Sequence, residues 1–129
     1  MEKRKYIVLK NLEVYQLSRQ LSKMAWPIFD SLPLGHKKVI GDQFIRAVDS
    51  VGANIAEGYA RFHYLEKIRF YHFARGSLSE AIDHWAELML ERKIIDQTAF
   101  DQLSSIHKTL EIKLNNFISV TRKNAEGGK

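Results

Sequence analysis

Residues 43–61 carry three lines of side chains at helical spacing. Phe44, Val48, Val51, Ile55 and Tyr59 step by four, three, four and four, which builds one apolar seam. Ala53, Ala56 and Ala60 form a second line of small side chains, where a neighbouring helix backbone is expected to come close. Arg46, Ser50, Asn54, Glu57 and Arg61 form a polar third line beside them. A strand, with its period of two, cannot sort residues in this way. The stretch reads as a central helix with neighbours on most of its circumference.

The rest of the chain supplies those neighbours. Val14, Leu17, Leu21, Met24 and Ile28 give a first helix over about residues 12–31. Pro27 lies inside it and costs roughly 3 kcal/mol unless the helix kinks, so a bend near Ala25–Trp26 or a restart at Pro27 is expected. Pro33-Leu34-Gly35 is expected to end this element. The central helix then starts near Lys37 or Val39 and ends near Ala60. Gly41 and Gly52 each cost about 1 kcal/mol relative to alanine inside a helix, a loss that a close neighbour would explain. Gly58 lies near the end, where the cost is smaller. A third helix, Tyr64 to Arg92, has a core line of Leu65, Ile68, Tyr71, Leu78, Ile82, Trp85 and Met89 with Ala74 and Ala81 as small partners. Gly76-Ser77 suggests another close approach, against the alanine line of the central helix. Asp96 is a good N-cap for a fourth helix over about residues 97–122, with Phe100, Leu103, Ile106, Leu110, Leu114 and Phe117 as its seam. No apolar–polar alternation is bounded by a hairpin turn. Short loops make successive helices antiparallel, so the reading is all-α: an up-down-up-down four-helix bundle over residues 12–122. A basic arm (residues 1–11) precedes it and a polar tail (123–129), expected to be disordered, follows it.

Composition closes several routes to chemistry. The 129 residues suit one domain, and the absence of cysteine removes disulfides, thiolate metal sites and a cysteine nucleophile. It also fits a reducing, cytoplasmic setting. No run of about 18 apolar residues is present to span a membrane, and no long apolar stretch follows the basic start, so a secretory signal is not expected. A bundle can hold a di-metal centre, but that needs Glu-x-x-His motifs; here His84 and Glu87 stand in the reverse order, and only once. Glu80 and His84, one turn apart, read as a surface pair. No phosphate-cradling glycine loop or nucleophile motif is found. The expectation is a protein that is not an enzyme, with no cofactor and no metal.

What remains is charge. The net charge is +5, which permits an acidic partner. Candidate nucleic-acid-binding residues fall into three patches: Lys3, Arg4 and Lys5 on the arm; Lys37 and Lys38 with Arg61, Lys67 and Arg69; and Arg122 with Lys123. Phe62, Tyr64, Phe70, Tyr71 and Phe73 interleave the second patch, and such rings either stack on unpaired bases or pack inside the bundle. Charge is divided along the third helix. Arg61, Lys67, Arg69 and Arg75 oppose Glu66 alone, whereas Glu80, Asp83, Glu87 and Glu91 meet no lysine or arginine. Asn54, Glu57, Ser77 and Glu80 are expected to form a structural polar network that fixes the register of the second and third helices.

Several of these residues also carry a resemblance. Leu12-Glu13-Val14-Tyr15-Gln16-Leu17, Pro33, Gln43 with Arg46-Ala47, Ser50-Val51 with Asn54-Ile55-Ala56-Glu57-Gly58, and Ala74-Arg75-Gly76-Ser77-Leu78-Ser79-Glu80 together resemble the 23S rRNA intervening-sequence proteins over roughly residues 10–120. The resemblance implies an antiparallel four-helix bundle that assembles into a ring-like homopentamer. It also implies kinship with the accessory proteins of diversity-generating retroelements, whose basic surface engages a reverse transcriptase and nucleic acid. Pro27 and the His63-Tyr64 junction depart from the family pattern. Three readings follow: an oligomeric bundle that presents basic surface to RNA or DNA; an adaptor for a partner protein such as a reverse transcriptase, without direct nucleic-acid binding; or a structural oligomer with no ligand.

Overall fold

The computed structural model describes residues 6–127. After a 3₁₀ turn at Leu9–Asn11, four helices follow: α1 (Glu13–Asp30), α2 (34–59), α3 (64–91) and α4 (Gln97–Gly127). Helix α1 packs against α2 and α4, and α3 packs against the same two. Direction is read from individual contacts. Gly52, late in α2, meets Ser18, early in α1, while Gly58 meets Phe70 and Tyr71, early in α3. Tyr71 stacks at 4.8 Å on Phe117, late in α4. The bundle is therefore up-down-up-down, as the loop lengths require.

The seams lie where periodicity puts them. Phe44, Val48, Val51 and Ile55 of α2 are fully buried with Leu21, Leu78, Ile82, Met89, Leu103, Leu110 and Leu114. Burying one such side chain contributes about 1.5–3 kcal/mol, so these residues dominate the favourable side of folding. Leu65 departs from its expected core place. It is exposed in the first turn of α3, where it lines an open cleft with Arg122 and Ala125.

Helix boundaries differ from expectation where proline or an irregular turn intervenes. Helix α1 runs unbroken through Pro27 without a restart. Pro33 does not end α1 but caps α2, its carbonyl accepting the Lys37 N–H at 2.9 Å; proline's fixed φ and missing donor suit a helix start. Both α2 and α3 contain a wide π-helical turn, at Lys37–Gly41 and Glu80–Ala86. Asp96 does cap α4, accepting the Ala99 N–H at 2.8 Å. That helix runs on to Gly127, so residues 123–127 extend it rather than forming a disordered tail. Ala125 lines the same open cleft as His63 and Tyr64. Helix α3 ends without glycine: Lys93 takes a φ of 58°, and Ile94 N–H reaches back to Met89 O at 2.8 Å while Lys93 N–H reaches Leu90 O at 3.0 Å, the paired bonds of a Schellman cap.

The close approach between α2 and α3 uses different residues from those expected. Ala53 and Ala60 are exposed and Ala56 is half-buried, because this line faces away from the seam. Gly76 is exposed too, with nothing near its missing side chain. The true contact is at Gly58. A Cβ there would stand 2.8 Å from Phe70 Cβ and Tyr71 Cε1 and 3.0 Å from the Lys67 carbonyl. Gly52 plays the matching part toward α1, with Ser18 Oγ at 2.9 Å, and Gly41 lies against Leu32 and Phe29. The expected polar network does not form. Asn54 donates to Ser50 O, Glu57 pairs with Arg61, and Glu80 accepts the Trp85 indole N–H, each four or five residues away in the chain; Ser77 bonds to none of the other three. With the alanine line turned outward, these polar groups face water and not one another.

Candidate nucleic-acid interface

The bundle divides the basic residues that sequence proximity had grouped. Lys37 and Lys38 stand at the start of α2 and Arg61 just past its end, roughly 35 Å apart at 1.5 Å per residue. They cannot form one patch. Lys37 is also engaged locally, 3.9 Å from Asp30 and over the Phe29 ring; Lys38 is exposed. Lys3, Arg4 and Lys5 lie outside the described residues.

At the other end, two further candidates are occupied. Arg61 pairs with Glu57 at 3.1 Å and stacks over Phe70 at 4.8 Å. Lys67 is half-buried, donates to the Tyr59 carbonyl at 2.8 Å and lies over the Tyr59 ring. Burial lowers its pKa from the usual lysine value. It satisfies an orphan carbonyl of the last turn of α2, a recurrent role for lysine at a helix C-terminus, and so acts structurally.

The remaining candidates stand on the first half of α3 and the last half of α4, two segments that share an edge of the bundle. Arg69 is exposed over the Phe73 ring at 5.5 Å, and Arg122 and Lys123 are exposed on α4. Two residues outside the three sequence patches complete this edge. Arg75 Nη1 donates to Asn115 Oδ1 of α4 at 2.9 Å, and Arg75 Nη2 stands 3.0 Å from His72 Nδ1. Arg122 Nη2 stands 3.5 Å from His72 Nε2 on the other side of the ring. Burial, then Arg75, then Arg122 push the His72 pKa below the usual histidine value. Among the described residues, neither Arg75 nor Arg122 has a carboxylate within ion-pair distance. Sequence alone could have flagged Arg69, His72 and Arg75, which recur at three-residue steps, but not their meeting with Arg122.

Apolar surface adjoins this edge. Phe62 is 90% exposed and Leu65 77%. A cleft of about 580 Å³ opens between His63, Tyr64 and Leu65 on one side and Arg122, Ala125 and Glu126 on the other. Among the described residues, no cluster of three or more histidine or acidic side chains is placed to hold a metal ion, and no helix is long and apolar enough to cross a membrane.

The family model described as 23S rRNA-intervening sequence protein matches residues 10–116. The chain belongs to this family. Among solved structures, a protein of unknown function from the S23 ribosomal protein family of Bacteroides thetaiotaomicron superposes with a TM-score of 0.74 at 20% identity, over 81% of this chain and 97% of that one. At that identity the likeness speaks for the bundle alone. No curated protein matches the chain. For this 23S rRNA intervening-sequence protein, neither the family nor the structural neighbour belongs to a recognised enzyme class.

Proposed function

We propose that this family member is a non-enzymatic, homo-oligomeric bundle that binds RNA or DNA through the α3–α4 edge. The observation that carries the reading is that Arg75 and Arg122 meet at His72 across the α3–α4 edge with no carboxylate within ion-pair distance among the described residues, while Arg69 and Lys123 are exposed on the same two helices. Like charges held together destabilise a fold unless an anion offsets them, and a phosphodiester backbone supplies anions in series. Exposed Phe73, over which Arg69 lies, suits stacking on an unpaired base. Assembly into a ring, which the family resemblance implies, would repeat the edge around the oligomer. A filter-binding titration against structured RNA and duplex DNA at 50 and 200 mM salt tests the reading. The expected result is a steep loss of affinity with salt. Binding that is absent, or indifferent to salt, overturns it.

A second reading, an adaptor for a partner protein such as a reverse transcriptase, is favoured by the exposure of Phe62 and Leu65, which are larger and more apolar than phosphate recognition needs. Under that reading, Phe62→Ala abolishes partner capture, while charge reversal at Arg69 does not.

A further inference from the structure

The hydrogen bonds around His72 do not balance. A neutral imidazole has one N–H donor and one acceptor nitrogen. His72 has a guanidinium at each nitrogen, Arg75 at 3.0 Å and Arg122 at 3.5 Å. A guanidinium only donates. If Nδ1 accepts from Arg75, then Nε2–H points at the Arg122 donors; the other tautomer turns Nδ1–H against Arg75. Either way one donor faces another. Asn115 holds Arg75 in place and takes only one of its N–H groups, so the surplus of donors stays at this point.

We infer that the donors of Arg75 and Arg122 converging at His72 are a seat for a phosphate group of a nucleotide whose base lies in the apolar cleft that Arg122 also lines. This rests on the nucleic-acid reading and gives it a location. A phosphate carries several acceptor oxygens and accepts from both guanidiniums and from the imidazole N–H at once, which removes the donor conflict. Arg122 joins the two parts, because it flanks His72 and also lines the cleft with Tyr64 and Leu65. Glu126 lies in the cleft as well; its carboxylate repels phosphate, and this fixes the orientation with the base inside and the phosphate at the arginines. A base held in a duplex is paired and stacked, so only an unpaired base is free to enter the cleft. Single-stranded segments are thus the preferred form.

The site has a pH signature. The charged groups that face His72 are Arg75 from its own helix and Arg122 from α4; burial first, and then these two arginines, disfavour the imidazolium in the free chain. A bound anion reverses that field and favours the imidazolium, which donates from both nitrogens. Anion affinity therefore rises as pH falls from 8 to 6.

The test follows His72 by NMR in the full chain while sulfate, inorganic phosphate, adenosine or AMP is titrated. Sulfate keeps its charge over this pH range, so its pH dependence reports on His72. The expected results are an upward shift of the His72 titration on adding sulfate or phosphate, and AMP binding at least tenfold tighter than either phosphate or adenosine. Both responses should be lost in Arg75→Gln/Arg122→Gln and kept in Arg19→Gln on α1. An unmoved His72 titration, or anion binding unchanged in the double variant, overturns the seat. AMP no tighter than phosphate overturns the placement of the base. Oligonucleotide binding provides the separate check. If a single-stranded 12-mer still binds the double variant with native affinity, this site fails while nucleic-acid binding stands. If AMP binds at His72 and no oligonucleotide binds, the site stands as a free-nucleotide site and the nucleic-acid reading fails.

Discussion

On the second half of α3, Glu80 accepts the Trp85 indole N–H at 2.8 Å, and Asp83 accepts the Ser79 hydroxyl at 2.9 Å and faces His107 of α4. On the first half, Arg75 and Arg122 converge on one imidazole, and Arg69 meets only an aromatic ring. On the acidic half Glu80 and Asp83 have hydrogen-bond partners, while Glu87 and Glu91 have none among the described residues; on the basic half donors are left over at one point, His72. The contrast indicates that net charge along a helix is a poor guide to a binding surface. What distinguishes the two halves is that Arg75 and Arg122 converge on one imidazole with no carboxylate beside them, a surplus of donors that the acidic half does not mirror.

The difference can be tested most severely where the basic half is pinned to α2. Gly58→Val places carbon against the Lys67 backbone and the roots of Phe70 and Tyr71, and overpacking of this kind costs about 3 kcal/mol or more. Urea unfolding should register it, and nucleic-acid affinity should fall with it as the edge shifts. A milder test leaves the fold alone. Arg69→Glu is expected to lower RNA affinity about tenfold and to reduce the salt slope by roughly 0.7–0.9 per lost phosphate contact, whereas Glu87→Lys on the acidic half should not weaken binding. Equal effects from the two reversals would erase the distinction between the halves. Smaller again is Lys93→Gly at the end of α3. The left-handed conformation costs a side-chain-bearing residue about 1–2 kcal/mol, and glycine's extra freedom in the unfolded chain gives back about 0.5–1. A net gain of roughly 0.5 kcal/mol in thermal or urea unfolding is expected, with RNA binding unchanged.

The smallest effect is on pH. His72 is held neutral in the folded chain, and its pKa lies below the ordinary value of 6.5. Its contribution is complete above pH 6.5. As pH falls below that, the unfolded chain takes up the proton first and stability declines until the folded-state pKa is passed. The dependence should be shallow, since the group is near the surface, and His72→Gln should flatten it between pH 5 and 7.

Much of this molecule was legible in the order of its residues. The four apolar seams place the helices, and Asp96 marks where α4 begins. The glycines inside α2 announced close neighbours, although Gly58, dismissed as terminal, proved the tightest contact. The alanine line misled because small size alone does not say which way a residue faces. The second wide turn has no sequence signature, since it contains ordinary helix residues, and Gly41 in the first signals only a close neighbour. The candidate site was half legible. Patches drawn along the sequence joined Lys37 to Arg61, which a long helix separates, and missed His72–Arg122, fifty residues apart in the chain. Whether a lysine is free or already bonded depends on the ring or carbonyl that folding brings to it, as Tyr59 does for Lys67.

The π-helical turn at Glu80–Ala86 bears on how such a chain can vary in length. A turn of this kind holds one residue more than the α-helix around it. Loss of a single exposed residue there, such as His84, would let the backbone close into ordinary i to i+4 pairing while Leu78 and Met89 keep their places in the core. Elsewhere in α3, the same deletion would rotate every later side chain by about 100°, carrying Met89 out of the interior. The wide turn is thus the point at which this helix tolerates a change in chain length.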